Sequence, residues 1–200
     1  VAQTLDDGRA FRDDFLARMS AYGRDPSQMR IRPAARVVVG NTVDEAHERR
    51  ARLDSLVNTE SAMAALSIAL GHDASTFDPD QPLPDIPESN QSKSGRERAI
   101  SLARRDNLTV RQLAQRVGGY GGLSFLGTPE TIADEMEDWL TSGACDGFTV
   151  MFPYLPAGLN DFVGKVVPEL QRRGLLRRRY EGSSLRDHLG LPYPGNQFFD

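Results

Sequence analysis

Only two short stretches of the chain read as strands, and both lie between helices. Val37-Val38-Val39, closed by Gly40 inside "RIRPAARVVVG", is the β-branched apolar run of a buried strand. Gly147–Phe152, inside "DGFTVMFPYLPAG", has the same character before it breaks into a proline-rich loop. No hairpin signal joins the two, so parallel strands connected through helices are expected, lying side by side. A parallel sheet needs both faces covered and its edges paired, and a complete eight-stranded α/β barrel takes about 250 residues. Two or three strands in 200 residues therefore read as part of a larger sheet or barrel.

Capping chemistry places the helices. Thr4 with Asp7 opens a helix whose Phe11, Phe15, Met19 and Tyr22 form a stripe expected to face the core, and Gly23 and Pro26 close it. Thr42/Glu45, Ser94/Glu97 and Thr109/Gln112 have capping-box spacing. Thr128, Pro129 and Glu130 specify another start, followed by an apolar face of Ile132, Met136, Trp139 and Leu140 and a stop at Gly143. The place of Trp139 on that stripe predicts core packing rather than stacking on a ligand. The last long helix is expected to bury Phe162, Val163, Val166, Val167 and Leu170, with Pro168 bending it because its ring opposes the Gly164 carbonyl.

Two stretches depart from this pattern. Gly71 to Gly95 holds four prolines and many small polar residues, with Leu83 and Ile86 as its anchors, and is expected to be the most mobile internal segment and to help cover a site. "VGGYGGLSFLG" reads as a hinge or tight loop. Its Gly118, Gly119, Gly121 and Gly122 lack the strand–helix context of a dinucleotide fingerprint.

Composition excludes several function classes. With 39% hydrophobic and 26% charged residues the chain is globular, and no run approaches the roughly 18 apolar residues of a membrane helix. Net charge −4 argues against general nucleic-acid affinity. The basic cluster Arg172, Arg173, Arg177, Arg178 and Arg179 reads as a solvated helix end. The single Cys145 makes a reducing cytoplasm the simplest setting. His47, His72 and His188 have no ligand spacing, so no metal site is expected, and no G-x-S-x-G elbow occurs. Asp134, Glu135, Glu137 and Asp138 crowd one helix as a solvated face. Arg36 interrupts an apolar strand and needs a partner, either an anionic substrate group or a structural one, unless it faces solvent.

Several motifs in one order carry a resemblance: "LTVRQLAQRV", "GTPETIADEMEDWL", "DGFTVMFPYLPAGLNDFVGKVVPELQRRG", the tail "YEGSSLRDHLGLPYP" and the insertion-like "PLPDIPESNQSKS". Over nearly its whole length the chain resembles the carboxy-terminal half of the nitrilotriacetate, pristinamycin-synthase and dibenzothiophene-sulfone monooxygenases, within the bacterial luciferase-like flavin-dependent superfamily. The resemblance implies an α/β fold, the carboxy-terminal portion of a TIM (β/α)8 barrel of the luciferase-like type with a helical and loop insertion. Residues 1–56 and 128–174 would be barrel helices and last strands, 57–127 the insertion with its proline-rich loop 71–95, and 175–200 a tail. "RIRPAARVVVG" would be the seventh strand and "DGFTVMF" the eighth.

The same resemblance implies an oxygenase component that takes reduced FMN from a flavin reductase, and O2, to oxygenate a small sulfur- or nitrogen-containing substrate. Most flavin contacts and the phosphate site would precede Val1, so the chain alone is expected to be inactive and to associate with itself or with the missing amino-terminal half. Barrel chemistry sits at the carboxyl ends of the strands, which makes "FPYLPAG" part of the mouth wall. Strand alternation puts Thr149, Met151 and Pro153 on one face, assigned to the lumen, and Phe148, Val150 and Phe152 on the helix-packed face. Tyr154 either reaches substrate or flavin or is a rim tyrosine, so the pocket candidates are Thr149, Met151, Pro153, Tyr154 and Arg36. Another luciferase-like oxidoreductase, such as a deazaflavin-dependent one, and a truncated non-catalytic binding or assembly module are the alternatives.

Overall fold

The computed structural model describes residues 3–90, 93–196 and 198. Nine α-helices and three strands occur among them. In chain order they are α1 (Leu5–Ala21), β1 (Ala34–Val39), α2 (Val43–Ser55), α3 (Thr59–Leu70), α4 (Lys93–Arg105) and α5 (Val110–Gly118). Then follow β2 (Ser124–Gly127), α6 (Pro129–Thr141), β3 (Thr149–Met151), α7 (Ala157–Asp161), α8 (Val167–Arg172) and α9 (Leu185–Leu189).

All strand pairings are parallel and the order across the sheet is β2-β1-β3. Arg36 is in register with Ser124 on one side and Met151 on the other, so the two expected strands do lie side by side. The chain runs outward from β1 to β2 and back past β1 to β3. Right-handed crossovers in opposite directions across a sheet put their helices on opposite faces. The packing agrees. Ala35, Val37 and Val39 of β1 and Phe125 of β2 form one core with Ile132, Met136 and Trp139 of α6 and Phe162, Val166 and Leu170 beyond β3. Phe148, Val150 and Phe152 pack against the same core, the Phe148 ring edge-on to Phe125 at 5.3 Å between centroids. No α2 residue belongs to that cluster. Instead Arg50 of α2 reaches the Ser124 hydroxyl at 3.4 Å on the opposite face, where Val38 is buried. That face is left bare over β3, where Thr149 is exposed and Met151 is 41% exposed.

A second core lies in the segment between β1 and β2. Ala62, Leu66 and Leu70 of α3 pack on Val110, Leu113 and Ala114 of α5 and on Ala99 and Ala103 of α4. Gly118 lets α5 approach α3 closely, since a Cβ there would stand 2.6 Å from Cα of Ala62. The proline-rich stretch is tied to these helices. Leu83 and Ile86 pack on the core, Arg111 pairs with Asp80 and Arg104 with Asp85, and Arg96 donates to the carbonyls of Ile86 and Pro87. Gln91 and Ser92 of that stretch lie outside the described residues.

Several sequence expectations need correction. β2 lies inside the stretch read as a glycine hinge, because a four-residue strand whose buried positions are Phe125 and Gly127 carries too little apolar pattern to stand out. A strand therefore intervenes between the two that were counted as seventh and eighth, and β1 is third from last. The α1 stripe is not core: only Gly8 is buried, beneath Trp139, while Phe11 and Tyr22 are exposed. Ser94 lies inside α4, which begins at Lys93, and Val163 is exposed. Thr4/Asp7 and Thr109/Gln112 form full capping boxes, whereas Glu45 returns its bond to the Asn41 N–H rather than to Thr42. Near Pro168 the helix widens into a π-helical turn, Phe162–Val166, that hands over to α8.

The amino end of the β1–β3 seam is closed by Asp146. Its carboxylate accepts two bonds from Arg12 of α1, at 2.8 and 3.1 Å, and one from the Ile31 N–H at 2.8 Å. Burial pushes this carboxyl up, but Arg12 and the Ile31 N–H outweigh it and hold it below the usual aspartate value. A carboxyl depressed in the folded state contributes stability above its unfolded value, about 3.9, and that stability is lost as pH falls through the folded value. Asp146→Asn is expected to cost about 1–3 kcal/mol at neutral pH and to flatten the fall of the urea midpoint between about pH 5 and pH 3. Identical acid profiles for the two proteins would contradict this role.

Candidate functional site at the carboxyl ends of the strands

The carboxyl ends of β1 and β3 meet at one charged cluster, built around Arg49 of α2. The helix starts three residues beyond Gly40, where a Cβ would meet the Ala46 backbone nitrogen at 2.6 Å, and this tight turn brings α2 back over the strand end. Arg49 donates from Nη1 to the Val39 carbonyl at 2.8 Å, to Asp161 at 2.9 Å and to the Tyr154 hydroxyl at 3.4 Å, and from Nη2 to Glu45 at 2.7 Å. Lys165 approaches Asp161 at 3.0 Å and donates to the Asn41 side chain at 3.3 Å. The cluster thus ties the end of β1, the start of α2, the loop after β3 and α7.

Its electrostatics favour the charged forms. The bonds to Tyr154, Asp161 and Glu45 raise the Arg49 guanidinium above its ordinary value, against desolvation. Burial pushes the Asp161 carboxyl up, but Lys165 and Arg49 outweigh it and the net direction is down. Two cations and two carboxylates balance, so the cluster is a neutral clamp rather than a free anion receptor.

Of the sequence candidates, Tyr154 alone touches the clamp; its ring packs over Gly158, with ring carbons 3.5 Å from where a Cβ would stand. Pro153 precedes it, half-buried. Thr149 and Met151 lie on the face away from the helices packed by β3, in register with Ala34 and Arg36. Arg36 points to the same face but toward the other end of the sheet, where its Nη1 donates to the Gly121 carbonyl. Sequence reasoning missed Asn41, Glu45, Arg49, Asp161 and Lys165. Glu45/Arg49 and Asp161/Lys165 are legible as i,i+4 helix pairs, yet nothing in their spacing says that the two pairs meet. No group of three or more His, Cys, Asp or Glu side chains able to hold a metal occurs among the described residues. His72 stacks on Phe77, and His188 lies against Tyr180 and the Gly182 carbonyl.

No family model matches the chain. Curated relatives do. It is 50% identical over 197 residues to nitrilotriacetate monooxygenase component A of Aminobacter aminovorans, covering 97% of this chain and 44% of the relative. It is 46% identical to a pristinamycin IIA synthase chain of Streptomyces pristinaespiralis (95% and 44%) and 35% identical to dibenzothiophene-sulfone monooxygenase of Rhodococcus erythropolis (97% and 44%). Over nearly its whole length the chain is similar to the carboxy-terminal half of these monooxygenases. Among solved structures, DmoA from Hyphomicrobium sulfonivorans superposes with a TM-score of 0.77 at 29% identity, covering 93% of this chain and 39% of that one. Riboflavin lyase, solved with a modified FMN and riboflavin, gives 0.70 at 29% identity, covering 92% and 39%. The chain spans less than half the length of these relatives, and its fold is a portion of a luciferase-like TIM barrel.

A flavin phosphate needs a cradle of backbone N–H groups, and Gly119 and Gly121 do not offer one. The glycines best placed for it are filled by protein. A Cβ at Gly119 would meet the Gln115 carbonyl at 2.6 Å, and at Gly121 it would clash with the Arg116 carbonyl. These glycines permit close backbone packing, not an open nest of N–H groups.

Replacing Arg49 by Gln should lower stability by about 1–3 kcal/mol, because Asp161 and Glu45 lose a common partner in a partly buried setting. Arg49→Lys should recover only part of this, since one ammonium cannot serve four acceptors spread over a planar fork. A urea midpoint for Arg49→Gln equal to that of the parent chain would remove Arg49 from the centre of the cluster.

Proposed function

We propose that this chain is the carboxy-terminal portion of the oxygenase component of a two-component system. The complete protein takes reduced FMN from a partner flavin reductase, with O2 as co-substrate, and oxygenates a small sulfur- or nitrogen-containing organic molecule in the cytoplasm. The observation that carries this reading is the 50% identity over 97% of the chain to a protein named as component A of a monooxygenase. In this reading the loop after β3, with Pro153 and Tyr154, forms part of the wall of the mouth, and Thr149, Met151 and Arg36 face the lumen. Such a wall serves oxygenation by excluding water from the reacting centre. The clamp of Arg49 would keep the loop in one conformation, so that the wall does not open to solvent.

The chain alone retains no FMN and oxygenates nothing, because a wall without a phosphate site is not a closed pocket. Its exposed Phe11, Met151 and Leu155 favour association with itself or with the missing half. The test is to titrate the purified chain with oxidised and reduced FMN, then repeat with the chain fused behind the amino-terminal part of the Aminobacter aminovorans component A. The isolated chain should elute without flavin. The fusion, supplied with a flavin reductase, should add one oxygen atom to a member of a panel of aminocarboxylates and organosulfur compounds, read by mass spectrometry. Turnover by the isolated chain, or a folded fusion that binds no flavin, would refute the assignment.

A further inference from the structure

Between the sheet and the second core lies a cavity of about 580 Å³, walled by α2 and the residues leading into β2 on one side and by α4 and α5 on the other. A smaller one, about 470 Å³, continues it between α1 and α4, since Arg98, Leu102 and Arg105 line both. This cleft sits at the amino end of β2, away from the Arg49 cluster at the carboxyl ends of β1 and β3.

Its lining is cationic. Arg50, Arg98, Arg105 and Arg116 line the larger cavity, and Asp54 is the one carboxylate among the described residues that do so. Asp54 accepts two bonds of 3.0 Å from Arg50, and Asp106 is shared by Arg105 at 2.8 Å and Arg116 at 3.4 Å. Arg36 reaches the margin at Gly122, where a Cβ would stand 3.4 Å from its Nη1. Arg98 has no hydrogen-bond or ion-pair partner among the described residues. Around the larger cavity five arginines thus meet two carboxylates. Asp7 and Glu97 line only the smaller one, and Oδ2 of Asp7 already accepts from the N–H groups of Gln3 and Thr4. Elsewhere the chain matches its cations: Arg49 and Lys165 meet Glu45 and Asp161, and Arg172 and Arg173 meet Glu169, Asp134 and Glu137. A cleft lined by one sign of charge concentrates the opposite one.

We infer that this cleft binds a small, non-aromatic polyanion with at least two anionic groups, a polycarboxylate or a pyrophosphate. The excess of arginines sets the charge. Guanidinium forks take carboxylate and phosphate oxygens in the same bidentate geometry. No aromatic side chain lines the larger cavity among the described residues, so a purine or flavin ring has nothing there to stack on. The volume falls within the range of small-molecule sites, which favour the junctions between packed units. α4 also holds the proline-rich stretch through Arg96 and Arg104, so a ligand that fixes Arg98 and Arg105 steadies the same helix from its other side. The inference rests on this charge pattern and not on the proposed reaction.

The test is to titrate the 200-residue chain by calorimetry with pyrophosphate, citrate and acetate at constant ionic strength. Pyrophosphate, citrate or both should saturate one site per chain, and acetate, with a single charge, should bind at least about tenfold more weakly. Saturation by pyrophosphate alone assigns a phosphorylated ligand, and by citrate alone a polycarboxylate. Saturation by neither overturns the inference. Arg98→Gln should weaken binding at least about tenfold, whereas Arg18→Gln, at a well-exposed arginine outside the cleft, should leave it unchanged. ADP should bind no more tightly than pyrophosphate. Equal weakening by both substitutions would mean diffuse attraction, and much tighter binding of ADP would mean recognition of a ring; either result sinks the proposal.

Arginine labelling with phenylglyoxal needs no variant. The anion that saturates the chain should protect Arg98 and Arg105, but not Arg18, as read by peptide mass spectrometry. Equal labelling of Arg98 with and without that anion would place the ligand elsewhere and overturn the assignment.

Discussion

β1 is hydrogen-bonded along both edges, and the rest of the structure follows from that position. A strand with neighbours on both sides must receive one connection from each direction, and right-handed crossovers then place α2 on one face and α6 on the other. Both faces of β1 are therefore covered, which is what its sequence needs. Val37 and Val39 enter the core with α6 while Val38 is buried on the opposite side. The unbroken valine run is readable as a strand because it has no solvent face, in contrast to the alternating pattern of a half-exposed strand.

Charged groups close the two ends of the β1–β3 seam. A three-residue strand makes too few ladder bonds to define its own place, and the seam is completed by Asp146 below and Arg49 above. These pairs differ from the surface pairs of the chain. Arg18 and Asp14, both well exposed, gain little from each other in high dielectric. Asp146 and Asp161 are largely withdrawn from water and each has at least two partners, so the cost of desolvation is offset only while every partner stays in place. Partly buried networks of this kind fix geometry more than they add stability. At the opposite helix ends, Arg173 with Glu169, Asp134 and Glu137 acts in a similar way between α8 and α6, and Glu169 is pulled down to about 2 by Arg172 and Arg173. Within that basic cluster Arg172 and Arg173 are held in ion pairs, and Arg177 donates to the His188 carbonyl.

Much of the fold was legible and much of the candidate site was not, for one physical reason. Helix starts are local: the Thr4, Thr109 and Thr128 caps involve residues three apart, and the parallel β1–β3 pairing followed from hydrophobic runs and the absence of hairpin signals. Trp139 went to the core, as its place on a regular stripe required. β2 escaped notice because Ser124–Gly127 is short and buried among glycines, so its identity as a strand comes from pairing with β1 and not from its own pattern. The Arg49 cluster escaped for the same reason at longer range. Its members lie more than 100 positions apart, and only the adjacency of β1 and β3 makes Glu45, Arg49, Tyr154 and Asp161 one site. The family resemblance was visible because it depends on motif order, which needs no contacts.

The polar and apolar halves of this chain are satisfied to different degrees. The charged groups at both ends of the seam find partners within the 200 residues, and the clamp at the strand ends is internally neutral. The apolar surfaces do not fare so well: the α1 face with Phe11 and Tyr22 is open, and so is the face of β3 with Met151. Hydrogen bonds and ion pairs are directional and close over short distances, so a portion of a barrel can complete them alone. Hydrophobic burial is non-directional and scales with the area removed from water, so it needs the mass of the whole domain. The surfaces left open on α1 and β3 are therefore apolar ones.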